Sequence, residues 1–190
     1  MQNTYRVLRV AAAVFIGFVL ALTFLRMMPA SAQVGKEVPY GNQVSPEITK
    51  YNRLRPSIAT AGPLKDGAIS ELKSLGFATV LDLRCSDEGA DVEKRAVEAA
   101  GLRYLNIPVI EIIPSDDQVA EFARIVRDPS NFPLLIHCAS ANRVGAIWTL
   151  YLARRGVPIS IAVEEGRTIG MQQDREDAVL KHLGRPSVRR

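Results

Sequence analysis

The chain has little cysteine and little histidine: two of each in 190 residues. Cys85, His137, Cys138 and His182 stand in no metal-type spacing, and His182 is far in sequence from either thiol. No metal and no cofactor is therefore expected. There is no internal repeat, which excludes solenoid and propeller arrays. An unbroken apolar stretch long enough to span a bilayer is also missing. The longest uncharged run, from Val10 to Leu25, has 16 residues, short of the roughly 18–20 of a spanning helix. A surplus of charge is missing as well. The 24 basic residues against 20 acidic ones include three, Arg6, Arg9 and Arg26, in the first 32 positions, which carry no acid. Beyond them the count is 21 against 20, so no basic patch points to nucleic acid.

Those first positions have a layout of their own. Arg6 and Arg9 precede the apolar run, and Ala30-Ser31-Ala32 follows it as a small-residue exit. A basic head, an apolar middle and a small-x-small site make a secretory signal peptide, with cleavage expected before Gln33. The domain is then exported, to the periplasm in a bacterium; the alternative is an anchor through residues 10–25 with the domain still outside the cytoplasm. No other membrane contact is expected. The remaining 158 residues suit one domain with one core. The expected division is a signal peptide at 1–32, an irregular lead-in at 33–52, a catalytic domain at 53–184 and a basic tail at 185–190.

Within the domain, strand and helix patterns alternate. Leu54 to Thr60 reads as a first strand, placed at an edge by Pro56. Gly62-Pro63 turns the chain into a helix from about 64 to 75, closed by Gly76. Ala78–Arg84 is a strand, 88–100 a helix and Leu102–Val109 a third strand. Ser115 and Gln118 form a capping box for a helix over 116–127, and two more helices are expected at about 160–169 and 172–183. This alternation predicts an α/β domain with a mostly parallel central sheet flanked by helices, and ligands bound beyond the C-terminal strand ends.

The chemistry is concentrated where one such strand ends. Leu134-Leu135-Ile136 is a short apolar run. His137-Cys138-Ala139-Ser140-Ala141-Asn142-Arg143 follows, and from Val144 to Arg155 the spacing is helical until Gly156. A strand-loop-helix join turns backbone N–H groups and the positive helix end toward the loop. Here the loop starts with a thiol and ends with a guanidinium. Both favour the thiolate, which in such surroundings titrates at roughly 3.5–7.5 instead of ~8.5. Cys138 is the candidate nucleophile. Arg143, with the backbone of Ala139, Ser140, Ala141, Asn142 and Val144, is the candidate anion cradle.

This stretch resembles the P-loop of the cysteine-dependent protein tyrosine phosphatase superfamily. Its spelling is similar to the small bacterial branch called DUF442 or beta-lactamase-hydrolase-like phosphatases. Pro56-Ser57-Ile58-Ala59-Thr60-Ala61-Gly62, Gly76-Phe77-Ala78-Thr79-Val80-Leu81-Asp82-Leu83-Arg84 and Tyr104-Leu105-Asn106-Ile107-Pro108-Val109 also resemble it, in the same order. The likeness runs from about residue 50 to 170. It implies a dual-specificity-type fold, a Cys138 nucleophile, an Arg143 phosphate clamp, and hydrolysis of a phosphorylated protein or small molecule through a cysteinyl-phosphate.

Three departures bear on the reaction. The superfamily usually has five residues between cysteine and arginine; here there are four, Ala139 to Asn142, a spacing also found in rhodanese-type sulfurtransferases. Ala141 stands where the branch more often has glycine. If that position needs a positive φ, alanine costs on the order of 1 kcal/mol. Val144 replaces the Ser or Thr that usually helps the second step. Two alternatives therefore stand beside the phosphatase: a sulfurtransferase cycling through a Cys138 persulfide, and a pseudophosphatase that binds phosphate without turnover.

The general acid is sought on the loop after Val109, which offers Glu111, Asp116 and Asp117; Glu111 and Asp116 are the candidates, although acids in a first helical turn also suit the dipole. His137 is expected to support the thiolate through the loop backbone without transferring a proton. Asp82 and Arg84 are expected to pair beneath the loop. Gln172 and Gln173 are weighed as holders of the attacking water against an exposed pair. Cys85 follows its strand just as Cys138 follows another. Neighbouring parallel strands would put both sulfurs at one sheet edge, so Cys85 is the candidate redox partner of Cys138, with a buried inert thiol as the alternative.

Overall fold

The computed structural model describes residues 37–186; the signal-type segment and the last four residues of the basic tail lie outside them. Five strands form one sheet: β1 (Asn52–Arg55), β2 (Ile58–Ala61), β3 (Thr79–Asp82), β4 (Arg103–Asn106) and β5 (Leu134–His137), in the order β1-β2-β5-β3-β4. β2, β5, β3 and β4 run parallel, and β1 closes one edge antiparallel to β2. The expected single strand from Leu54 to Thr60 is thus a hairpin. Pro56 has no N–H for a ladder, and Pro56-Ser57 makes the turn between Arg55 and Ile58.

Alternation along β5 divides the core. Leu134 and Ile136 face one apolar cluster and Leu135 the other, as a period of two requires. On the Leu135 side lie α1 (Ala68–Ser74) and α2 (Ala90–Ala99), with Leu72 and Val97 buried. On the other side lie α3 (Asp116–Ile125), α4 (Asn142–Arg154), α5 (Ile159–Ile169) and α6 (Gln173–His182). The helix expected from residue 64 starts four residues later, because Gly67 takes φ +90° and Leu64 instead bridges to Ile48. That bridge, with Ile48 and Val38 both buried, draws the expected lead-in into the core. Among the described residues no helix is long and apolar enough to cross a membrane.

The central helix is α4. Its residues are buried without a break from Asn142 to Leu152, where the sequence shows only one apolar face. The reason is close contact with α5: a Cβ on Gly145 would come within 2.5 Å of the Gly166 carbonyl oxygen, so the two backbones touch. Phe122 of α3 packs edge to face on Trp148 and on Tyr151 of α4, whose own rings are tilted against each other. This packing fixes the start of α4 against the end of β5.

Candidate active site

β5 ends at His137, level with Asp82 of β3 and Ala61 of β2, and Cys138 is the first residue beyond the sheet. The chain then turns through Ala141, whose φ is +65°, and enters α4 at Asn142. The conditional expectation for Ala141 is met: the loop does need the left-handed region there. The first helical hydrogen bond is Gly145 N–H to the Ala141 carbonyl, at 3.0 Å. The amides of Asn142, Arg143 and Val144 precede it and belong to the unpaired donors of a helix start. Asn142 braces the loop by accepting the Gln172 N–H on its Oδ1 at 2.9 Å, and the Lys50 ammonium donates to the Ser140 carbonyl at 3.2 Å. Lys50 itself has φ +51°.

Cys138 is fully buried, with Arg143 beside it. The five N–H groups of that guanidinium can be counted. Nη1 donates to Glu88 Oε2 at 2.6 Å and reaches the carbonyls of Leu83 and Val109 at 3.4 and 3.3 Å. Nη2 donates to Glu88 Oε1 at 2.5 Å. One Nη2 hydrogen and Nε–H have no oxygen or nitrogen acceptor among the described residues. Two parallel donors on one edge match two oxygens of a phosphate. The bond to Glu88, opposed by burial and aided by the Cys138 sulfur, raises the pKa of Arg143, so it stays charged. The same bond holds the Glu88 carboxyl at about 2, against the desolvation of its partial burial.

Under the loop lies a second charged cluster. His137 Nε2 is 2.7 Å from Glu93 Oε1 and 3.6 Å from Asp82 Oδ1, with His137 and Asp82 wholly buried. Arg84 spans both carboxylates, 2.8 Å from Asp82 Oδ2 and 2.6 Å from Glu93 Oε2, as the expected Asp82–Arg84 pair and one more. Tyr104 donates its hydroxyl to Asp82 Oδ2 at 3.0 Å. Burial works against an ionised Asp82, but His137 and the Arg84 bonds outweigh it and its pKa is lowered. Leu83 N–H donates to the His137 carbonyl at 3.0 Å, so the cluster bears on the backbone that carries Cys138. Asp82, Glu93 and His137 have the donor chemistry for a divalent cation. Arg84 already neutralises both carboxylates, while Glu93 Oε1 and His137 Nε2, 2.7 Å apart, are not aligned as a hydrogen bond.

The candidate acids separate. Val109, whose carbonyl touches Arg143, leads into the exposed Ile110, Glu111 and Ile112. Asp116 lies elsewhere: it pairs with Arg154, the last residue of α4, and sits 3.9 Å from His182. Arg154 is eleven residues from Arg143, or roughly 16 Å along the axis at 1.5 Å per residue. The structure thus places Asp116 beside Arg154 at the far end of α4 from Arg143. Cys85 and Cys138 are both free thiols. Burial and the neighbouring Glu88 push the Cys85 thiol up. Gln172 serves the loop through its backbone N–H. Glu88, Glu93 and Lys50 are neighbours of the loop and its arginine that the sequence did not reveal. The one local trace is Glu88 accepting the Cys85 N–H three residues back, which looks like an ordinary helix cap.

Solved structures share the fold. A DUF442 phosphatase from Shewanella putrefaciens CN-32 superposes with TM-score 0.59 at 22% identity, over 72% of this chain and 92% of the other. TpbA of P. aeruginosa, in complex with phosphotyrosine, gives 0.58 at 20%, over 77% and 90%. The core catalytic domain of the PP-IP phosphatase SIW14 of S. cerevisiae gives 0.59 at 15%, over 72% and 86%. A curated relative, "Probable NAD kinase 2, chloroplastic" of Oryza sativa subsp. japonica, is 29% identical over 118 residues, which is 57% of this chain but only 12% of the relative's length. The match to a family model is broader, covering residues 48–180. With a thiol and guanidinium set at the strand-to-helix join, the chain belongs to the family described as DSP-PTPase phosphatase fused to NAD+ Kinase.

Proposed function

We propose that this phosphatase acts outside the cytoplasm and works through a cysteinyl-phosphate on Cys138. One observation carries the mechanism: the Arg143 guanidinium lies within hydrogen-bond reach of the buried Cys138 sulfur, while Glu88 holds its two terminal nitrogens end-on. The Cys138 thiolate attacks phosphorus; the S–P bond forms as the ester O–P bond breaks. Arg143 and the amides at the start of α4 take the equatorial oxygens, whose negative charge they match throughout. Glu111 gives the leaving oxygen its proton. Water then attacks the phosphocysteine, its proton returns to Glu111, and the S–P bond breaks to release phosphate. Val144 has no hydroxyl to assist the departing thiolate, so this second step is the slower one.

The substrate is a phosphorylated protein or small molecule. Phosphotyrosine in TpbA and the PP-IP activity in the name of SIW14 bracket that range. Export rests on the basic head, apolar run and small-residue exit before Gln33.

Rapid-quench kinetics with an aryl phosphate test the mechanism. A burst of aryl alcohol near one per enzyme, followed by slower turnover and abolished in Cys138→Ser, is expected. Thiocyanate formed from thiosulfate and cyanide, with no phosphate released, would instead establish the sulfurtransferase that the four-residue loop also suits. Phosphate binding without turnover of either substrate would establish a pseudophosphatase. For export, the N-terminal sequence of the protein recovered from the expressing cell's envelope should begin at Gln33, and an intact Met1 refutes cleavage.

A further inference from the structure

The stretch from Ile110 to Ile112 has almost nothing apolar to hold it. Ile110 is 75% exposed and Ile112 45%, and Glu111 is exposed between them. Its backbone is nevertheless tied on both sides. Upstream, Gln118 Nε2 donates to the Pro108 carbonyl at 2.7 Å and Arg143 Nη1 reaches that of Val109 at 3.3 Å. Downstream, Arg175 Nη1 donates to the carbonyls of Glu111 and Ile112, at 3.0 and 2.5 Å. Arg175 is the third residue of α6, and the residue preceding that helix, Gln172, is bonded to Asn142 of the catalytic loop.

This placement is unusual for a guanidinium. Arg175 is half-buried, pairs with no carboxylate among the described residues, and lies near enough to Arg143 to be repelled by it; burial and that repulsion both lower its pKa. A charge kept under such conditions, with both hydrogens of one nitrogen spent on consecutive carbonyls, is a bracket for the chain that carries them. We propose that Arg175 is the positioning residue of the acid loop: by holding the Glu111 and Ile112 carbonyls it sets where the Glu111 carboxyl meets the leaving group. The proposal rests on the phosphatase reading and extends it to a residue outside the reacting atoms.

Leaving-group dependence tests it. A good leaving group needs no proton and a poor one does, so a displaced acid is felt only by the second. Arg175→Met should keep kcat/KM, which reports the step that breaks the ester bond, within about threefold on 4-nitrophenyl phosphate, while kcat/KM on phenyl phosphate falls about 10- to 100-fold. The fall of rate with rising pH that marks a required acid should flatten in the same variant. Glu111→Gln should reproduce the pattern. Arg175→Lys, able to donate to one carbonyl, should fall between it and wild type. An equal loss of kcat/KM on both esters, an unchanged kcat/KM on both, or a Glu111→Gln variant whose kcat/KM shows no leaving-group dependence overturns the assignment. Should Arg175→Met fail to fold, Arg175→Lys and Glu111→Gln decide by the same criterion. A wild-type enzyme that releases phosphate from neither ester, or a Cys138→Ser variant that still does, is a different failure: it removes the phosphatase mechanism itself.

Discussion

Both carboxylate oxygens of Glu88 face both terminal nitrogens of Arg143, at 2.5 and 2.6 Å, across 55 positions of sequence. This end-on pair leaves the side edge of the guanidinium for an oxyanion, so its first consequence is kinetic. In Glu88→Ala the arginine is free to rotate about its long side chain, and kcat/KM should fall about 10- to 100-fold, mostly through KM. Glu88→Gln keeps one acceptor and should lose less. Measuring the inhibition constant of orthovanadate alongside gives an independent check, since weaker vanadate binding must accompany the higher KM. Tighter binding in Glu88→Ala would mean that Glu88 competes with phosphate for the arginine and does not steer it.

The same pair has an acid limit. The Glu88 carboxyl is lowered from 4.5 to about 2 by Arg143, so the folded state binds its proton less readily than the unfolded chain does. Its contribution to stability is complete above the unfolded value, 4.5, and is lost as pH falls toward 2. The difference in unfolding midpoint between wild type and Glu88→Gln should therefore be constant from neutral pH to about 5 and shrink below that. A difference that widens on acidification would contradict the pairing.

How much of this was open to a reader of the sequence depended on sequence distance. Cys138 and Arg143 share one strand-loop-helix unit, so composition, spacing and helix-end electrostatics act on the same dozen residues. The Ser115–Gln118 box, three residues apart, was equally legible and is formed. Glu88 and Glu93 were not. Each begins or follows a short turn and has an adequate local explanation, and only the β3-β5 pairing brings them to Arg143 and His137. The hairpin at Pro56 was hidden because a two-residue turn inside a β-prone run leaves its composition unchanged. The burial of α4 on all sides was hidden because glycine at 145 and 166 reads as neutral until two helices meet there.

Ala141 carries a cost that substitution can measure. A non-glycine residue at φ +65° loses about 1–2 kcal/mol, while removing its buried methyl forfeits about 0.8. Ala141→Gly should then be close to neutral or stabilising by up to about 1 kcal/mol in urea unfolding. Gly170→Ala works in the opposite direction. Its Cβ would stand 3.0 Å from that of Ala141, at φ +134°, pressing on the loop from behind. It should lower stability by about 1–3 kcal/mol and reduce kcat with it. A Gly170→Ala enzyme with wild-type kcat would show that the loop does not need this support.

Asp116 offers a test of site assignment by contrast with Glu111. Because it is tied to Arg154 at the far end of α4, Asp116→Asn should leave kcat/KM within about twofold on good and poor leaving groups alike. The pair is largely exposed, so its loss should cost less than about 1 kcal/mol. A selective loss on poor leaving groups would return Asp116 to the chemistry and displace Glu111.

Glu93 is where stability and reactivity meet. It faces Arg84 and the His137 imidazole, in a cluster where Asp82 is the other acid and Tyr104 the remaining titratable neighbour. Glu93→Ala leaves a buried guanidinium with one carboxylate instead of two and should cost about 3–5 kcal/mol, the usual penalty for breaking a buried pair from one side. Glu93→Gln keeps an oxygen beside His137 and Arg84 while removing the charge, and should cost less. The loop hangs from His137, so both variants should also shift the pH dependence of Cys138 alkylation by iodoacetamide. Removing a negative charge behind the sulfur favours the thiolate, and the shift in Glu93→Gln should be toward lower pH. Were Glu93→Gln less stable than wild type but unchanged in its alkylation profile, the cluster would be holding the sheet end without tuning the nucleophile.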